Sequence, residues 1–213
     1  MAVDTKICGI RSAEAMDAAV AHRARFVGLN FFEKSPRFVS MEEARALGGR
    51  VPEAVGKVGV FVDPDDTLLE GAITAGGLSM VQLHGQEEPK RAADIRTRFG
   101  VDIMKVIKIS EADDLDAVAG YEPVADWLMF DTKPPKGATL PGGNAVAFDW
   151  RLMAGRSFRR PWMLAGGLDP ENVAEAVKLT DTRCVDVSSG VESAPGVKDP
   201  DKIRAFLEAL RGL

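Results

Sequence analysis

The chain has 213 residues, 46% hydrophobic and 28% charged, enough for one domain (1–213) with a substantial core. Its formal net charge of −5 argues against a nucleic-acid partner, whose binding surface is ordinarily basic. No apolar run approaches the roughly 20 residues of a membrane span, and no basic segment followed by an apolar stretch marks a secretory leader, so a cytoplasmic protein is expected.

In chain order, residues 3–10 predict a first strand that ends at a Cys8-Gly9 turn. A helix follows over 12–23, with Ser12 as its N-cap. Residues 26–32 are a second strand, and the loop 33–37 leads to a helix over 40–47 that starts on a Ser40/Glu43 capping box. A third strand covers 55–62, and Asp63-Pro64 starts the third helix. Strands over 78–83 and 102–109 alternate with helices over 87–98 and 111–119. The sixth strand is 126–131, followed by a long Pro- and Gly-rich loop over 132–144 and a weak helix near 147–154. The seventh strand, 162–165, stops at Gly166-Gly167, and Asp169-Pro170 opens its helix. The eighth strand, 184–187, runs into Ser188-Ser189-Gly190, and a last helix spans 200–210.

Eight strand-then-helix units without a break in composition predict an α/β fold, a (β/α)8 TIM barrel. An open doubly wound sheet is the alternative, but the first turn lacks a GxGxxG fingerprint. In a barrel, working groups gather at the C-terminal ends of the strands. Cys8, Asp131, Gly166-Gly167 and Ser188-Ser189-Gly190 all fall there. Loops seven and eight are neighbours in a closed ring. Their glycines and serines therefore suggest a phosphate cradle, with plain turns as the alternative.

A lone cysteine in a strand is more often a small buried hydrophobe than a catalyst. Across a barrel mouth, however, the Cys8 thiol and the Asp131 carboxyl can flank a small substrate, one taking a proton and the other giving one. Lys6 shares the strand parity of Cys8 and either supports it or pairs with Asp186. Arg37, in a rim loop, is either a bidentate grip for a substrate carboxylate or a solvated side chain. His84 and Gln82 share a parity at the end of the fourth strand, lining the pocket or held by structural hydrogen bonds. With two histidines in the chain, a multi-histidine metal site is disfavoured. With two cysteines that form no CxxC pair, a disulfide is equally disfavoured.

These residues stand in stretches that resemble the phosphoribosylanthranilate isomerase family. The stretches are Lys6-Ile7-Cys8-Gly9-Ile10, Ser35-Pro36-Arg37, Gln82-Leu83-His84-Gly85, Phe130-Asp131, Leu164-Ala165-Gly166-Gly167-Leu168 and Asp186-Val187-Ser188-Ser189-Gly190-Val191-Glu192. The resemblance implies an aldose-ketose isomerase of tryptophan biosynthesis that uses no metal and no organic cofactor. It would perform an Amadori rearrangement of N-(5-phosphoribosyl)anthranilate to the carboxyphenylamino-deoxyribulose phosphate. It also implies Cys8 as general base, Asp131 as general acid and Arg37 on the anthranilate carboxylate. Gly167, Ser189 and Gly190 would contact phosphate, with Asp186 in support. A monomer or homodimer is expected. The segment Pro141-Gly142-Gly143-Asn144-Ala145 departs from a Gly-Gly-Thr-Gly pattern frequent in the family, which bears on loop closure. Rivals are a sister phosphosugar isomerase with two carboxylates, a Schiff-base aldolase built on Lys108, and a non-catalytic phosphosugar-binding barrel.

Overall fold

Residues 3–133 and 147–213 are described by the computed structural model. Eight parallel strands close on themselves in chain order. They are β1 (Asp4–Cys8), β2 (Phe26–Asn30), β3 (Gly56–Phe61), β4 (Met80–Leu83), β5 (Asp102–Ile109), β6 (Trp127–Thr132), β7 (Trp162–Leu164) and β8 (Cys184–Val187). The barrel is therefore the one expected. Alternation along each strand divides the core in two. Phe26, Val58, Met80, Met104, Val106, Met129, Met163 and Cys184 fill the barrel interior. Ile7, Val27, Leu29, Phe61, Leu83, Ile103, Phe130, Leu164 and Val185 face outward beneath the helices.

Four of the helices start at a side-chain cap, and a fifth opens on a proline. Ser12 accepts from the Ala15 amide ahead of α1 (Ala13–Ala21). Ser40 and Glu43 exchange both bonds of a capping box at α2 (Met41–Gly48). Asp65 caps α3 (Asp66–Gly76), Pro89 opens α4 (Pro89–Phe99), and Asp199 caps α7 (Pro200–Ala209). Between them lie α5 (Val118–Tyr121) and α6 (Val173–Thr180).

The structure departs from expectation in local places. The fifth helix is a 3₁₀ stretch, Ala112–Ala117, followed by the single turn of α5. Asp114 there accepts from the amides of Ser110 and Glu111, which favours a tight turn over a regular helix. The weak helix expected near 147–154, after the sixth strand, is a 3₁₀ turn, Trp150–Met153. The helix after Gly166-Gly167 starts later than Asp169-Pro170, because Asp169 spends its carboxylate on the amides of Glu171 and Asn172. A hairpin after β8, β9 (Glu192–Ala194) with β10 (Val197–Lys198), was not expected at all. Most of the long loop over 132–144, with the departure at Ala145, lies outside the described residues. Among the described residues no helix is long and apolar enough to cross a membrane.

A cavity of about 350 Å³ opens at the N-terminal ends of β1, β6, β7 and β8, lined by Asp4, Trp127, Trp162 and Cys184. Cys8 and Asp131 lie at the opposite ends of their strands. The C-terminal mouth, not this cavity, is where barrel chemistry sits.

Candidate active site

The site is built from the strand ends. Cys8 pairs in register with Gly28, two residues above the pairing of Lys6 with interior Phe26, so Lys6 and Cys8 both point inward. A Cβ on Gly28 would lie 3.0 Å from the Cys8 sulfur, so this glycine makes the room in which the thiol sits. Asp131 shares the parity of interior Met129 and pairs in register with Lys108. Both Cys8 and Asp131 are buried at the mouth of the barrel. β6 stands three places from β1 around the ring, by way of β7 and β8, so the two strands are not diametrically opposed.

Lys6 is fully buried, and its Nζ donates to Asp186 Oδ1 at 2.8 Å. Burial alone would push the Lys6 pKa down, but Asp186 and Cys8 outweigh it and hold the amine charged. The thiol of Cys8 is pushed up by burial, opposed by the charge of Lys6. Cys184, deep in the barrel, is pushed up by burial more strongly. The folded chain therefore holds thiol protons that the unfolded chain releases above the ordinary thiol pKa near 8.5. Stability falls as pH rises past that value. At pH near 9.5 the loss is at most about 1.4 kcal/mol per thiol. Urea denaturation at pH 7.5 and 9.5 checks this, and Cys8→Ala should shrink the difference. A stability that rises over the same interval would contradict it.

Asp131 Oδ1 accepts from the amide of Thr132 at 2.8 Å, and Oδ2 lies 3.4 Å from His84 Nε2. His84 Nδ1 is 3.4 Å from Gln82 Nε2. His84 Nε2 and Gln82 Oε1 are buried and have no hydrogen-bond partner among the described residues. The turn after His84 is pinned from outside: Lys105 Nζ donates to the Gly85 carbonyl at 2.9 Å and to Glu87 Oε2 at 2.7 Å. Lys108 shares the parity of interior Met104 and Val106. Burial, then the charge of Lys105, pushes its pKa down.

Loops seven and eight meet as expected of neighbours. Gly166 and Gly167 both have positive φ, +89° and +69°, a conformation that favours glycine. Asn172 Nδ2 donates to the Gly167 carbonyl at 2.8 Å, fixing that turn. A Cβ on Gly190 would collide with the Leu168 carbonyl, so glycine is what lets the two loops abut. Ser188, Ser189 and Gly190 are half-buried on this rim, and Ser189 opens a 3₁₀ turn, Ser189–Val191. The Ser188 hydroxyl is already engaged, donating to the Cys8 carbonyl at 3.2 Å.

Arg37 is neither solvated nor free. Its Nε and Nη2 donate to Glu192 Oε1 and Oε2 at 2.8 and 2.9 Å, and both residues are buried. Its stem packs on Gly9, where a Cβ would come within 2.6 Å of Arg37 Cδ. The loop that carries it is set by Ser35 Oγ, which accepts from the Arg37 amide and from Asn30 Nδ2 at the end of β2. Glu192 was visible within the matching stretch, but nothing local in the sequence marks it as the partner of a residue 155 positions away. Among the described residues no three His, Cys, Asp or Glu side chains gather as a metal site.

A closed eight-stranded barrel with a thiol, a carboxyl and a glycine-lined double loop at one mouth is the frame of a phosphosugar enzyme. Residues 5–209 match the family model described as N-(5'-phosphoribosyl)anthranilate (PRA) isomerase. The chain belongs to that family. It is 56% identical to N-(5'-phosphoribosyl)anthranilate isomerase of Paramagnetospirillum magneticum, covering 100% of this chain and 99% of that protein. It is 55% identical to the same-named protein of Paracoccus denitrificans, over 97% of this chain and 96% of the other. A crystal structure of phosphoribosyl anthranilate isomerase from Thermotoga maritima superposes with a TM-score of 0.89 at 36% identity, covering 99% of this chain and 100% of that one. Another such isomerase, in complex with reduced 1-(o-carboxyphenylamino)-1-deoxyribulose 5-phosphate, superposes with a TM-score of 0.84 at 34% identity, over 99% of this chain and 100% of the other.

Proposed function

We propose that this barrel isomerises N-(5'-phosphoribosyl)anthranilate by an Amadori rearrangement, with Asp131 as acid and Cys8 as base. The observation that supports it most is the placing of a buried thiol and a buried carboxyl on inward-facing strand ends of one barrel mouth. Asp131, protonated, gives its proton to the ribose ring oxygen. The C–O bond breaks and the anthranilate nitrogen becomes an iminium. Cys8, as thiolate, takes the proton from the sugar's second carbon, and the electron pair neutralises the iminium to an enolamine. Tautomerisation then gives the ketone. The positive nitrogen acidifies that C–H, so a modest base suffices.

The phosphate rests against Gly166, Gly167, Ser189 and Gly190, whose backbone amides approach an anion closely. Ser188 joins them through its backbone, its hydroxyl being spent on Cys8. Arg37 meets the anthranilate carboxylate with its Nη1 edge, since Nε and Nη2 are held by Glu192. His84 lies beside the Asp131 carboxyl at 3.4 Å as a supporting group, and Lys6 with Asp186 supports the thiol strand. The enzyme acts in the cytoplasm, as a monomer or homodimer, on a free small-molecule substrate.

Arg37→Ala should raise KM by about tenfold or more with a smaller change in kcat, as loss of a contact made equally in ground and transition states does. It also strips Glu192 of one partner and lowers stability by up to about 3 kcal/mol. Steady-state kinetics and urea denaturation read both effects. A large fall in kcat at unchanged KM would contradict the carboxylate role. Turnover of freshly made substrate by the purified protein, followed by loss of its fluorescence, tests the activity. Borohydride trapping that modified Lys108 would favour aldolase chemistry instead.

A further inference from the structure

The hairpin β9–β10 bears on the mouth of the barrel from behind. Lys198 Nζ donates to Glu192 Oε1 at 2.5 Å, to the Ser188 carbonyl at 3.1 Å and to Ser188 Oγ at 3.3 Å. An ammonium has three donors, so none is left over. Ser188 in turn holds the Cys8 carbonyl, and Glu192 holds Arg37 in two-pronged fashion. The turn of the hairpin presses on the same loop, since a Cβ on Gly196 would collide with the Pro36 carbonyl. One chain of polar contacts thus runs Arg37, Glu192, Lys198, Ser188, Cys8, all buried except the half-buried Ser188.

We propose that Glu192 and Lys198 are positioning residues of this site: Glu192 fixes the Arg37 guanidinium with its Nη1 edge toward the ligand, and Lys198 ties that clamp to the Cys8 strand through Ser188. The inference rests on the roles given above to Arg37 and Cys8. Arg37 Nη1 makes no hydrogen bond among the described residues, which leaves it two donors for an incoming carboxylate. Buried ions are costly to desolvate, and apolar residues of the same volume often hold a fold as well. Three charged side chains buried together at the mouth therefore point to orientation more than to stability. Glu192 stays ionised: burial pushes its pKa up, but Arg37 and Lys198 more than reverse this.

Lys198 also adds a charge near the thiol. The groups that face Cys8 are Lys6 on its own strand, Asp186 on β8 and Lys198 on β10. Burial and Asp186 raise the thiol's pKa, while Lys6 and Lys198 lower it. Removing Lys198 takes away one of two cations and lets the thiol ionise only at higher pH.

Two readouts separate positioning from simple support of the fold. The first is KM and kcat for N-(5'-phosphoribosyl)anthranilate. The second is the pH dependence of Cys8 alkylation by iodoacetamide without substrate, localised by mass spectrometry. Glu192→Gln is expected to raise KM about tenfold while kcat stays within about threefold. Lys198→Met is expected to move the alkylation midpoint up by about half a pH unit. Lys178→Met, an exposed lysine on α6, is the control and should change neither. If Glu192→Gln does not fold, Glu192→Asp takes its place, keeping the charge but losing the reach, with the same rise in KM expected. A KM equal to wild type in the folded Glu192 variant overturns the proposal. So does an alkylation midpoint in Lys198→Met equal to that of Lys178→Met. A folded wild-type protein that fails to turn over the substrate contradicts the proposed function instead, and the alkylation comparison still decides the role of Lys198.

Discussion

Cys8→Ala is expected to lower kcat by on the order of 10²–10⁴, the range for loss of a general base. In energy this is about 3 to 5.5 kcal/mol of barrier. The side chain is small and sits against Gly28, so alanine leaves little void and the barrel should fold. Lys6 keeps Asp186 in the variant, so no buried charge is stranded. The effect should fall on kcat and leave KM near wild type, because the role proposed for the thiol is at the C–H bond and not at the phosphate or carboxylate. Burial raises the thiol's pKa, so at neutral pH the thiolate is a minor species in the resting protein. Alkylation of Cys8 should accordingly accelerate with pH up to and beyond 9. Near-normal turnover by Cys8→Ala would remove the thiol from the mechanism.

Asp131→Asn should cost a similar 10²–10⁴ in kcat, since an amide cannot supply the proton that opens the sugar ring. The substitution preserves shape. An amide oxygen at the same place still accepts from the Thr132 amide, so the end of β6 should hold. What it loses is the ionisable proton beside His84 and Lys108. A double variant, Cys8→Ala with Asp131→Asn, should be no slower than about the worse single variant, as for groups acting in one unit. Steady-state kinetics with circular dichroism on the same samples checks this. Asp131→Asn retaining wild-type kcat would mean that another group, or solvent, protonates the ring oxygen.

The barrel was legible because its signal repeats. Each strand is a short apolar run, and several of the following helices start at a cap such as Ser12, Ser40 or Asp199. Strand parity also put Lys6 within reach of Asp186, and the 2.8 Å pair is there. The β9–β10 hairpin was not legible, since strands of three and two residues have no periodicity to read. The Glu192 partnership of Arg37 escaped for a different reason. Sequence shows that an arginine sits on a rim loop, but which buried carboxylate it meets depends on how the ring closes between β1 and β8. The 3₁₀ turns at Ala112–Ala117 and Trp150–Met153 were read as helices because their composition is helical, while local side-chain bonds from Asp114 and Asp149 tighten them.

In the proposed mechanism a sulfur and a carboxyl at one barrel mouth exchange protons with a single phosphorylated sugar. The most direct measurement is the first-order loss of N-(5'-phosphoribosyl)anthranilate fluorescence with purified wild-type protein, set beside the Cys8→Ala, Asp131→Asn double variant. The expected result is a rate proportional to wild-type enzyme and a double variant slower by at least about a hundredfold. A folded wild type that leaves the substrate unchanged, or a double variant as fast as wild type, would contradict it.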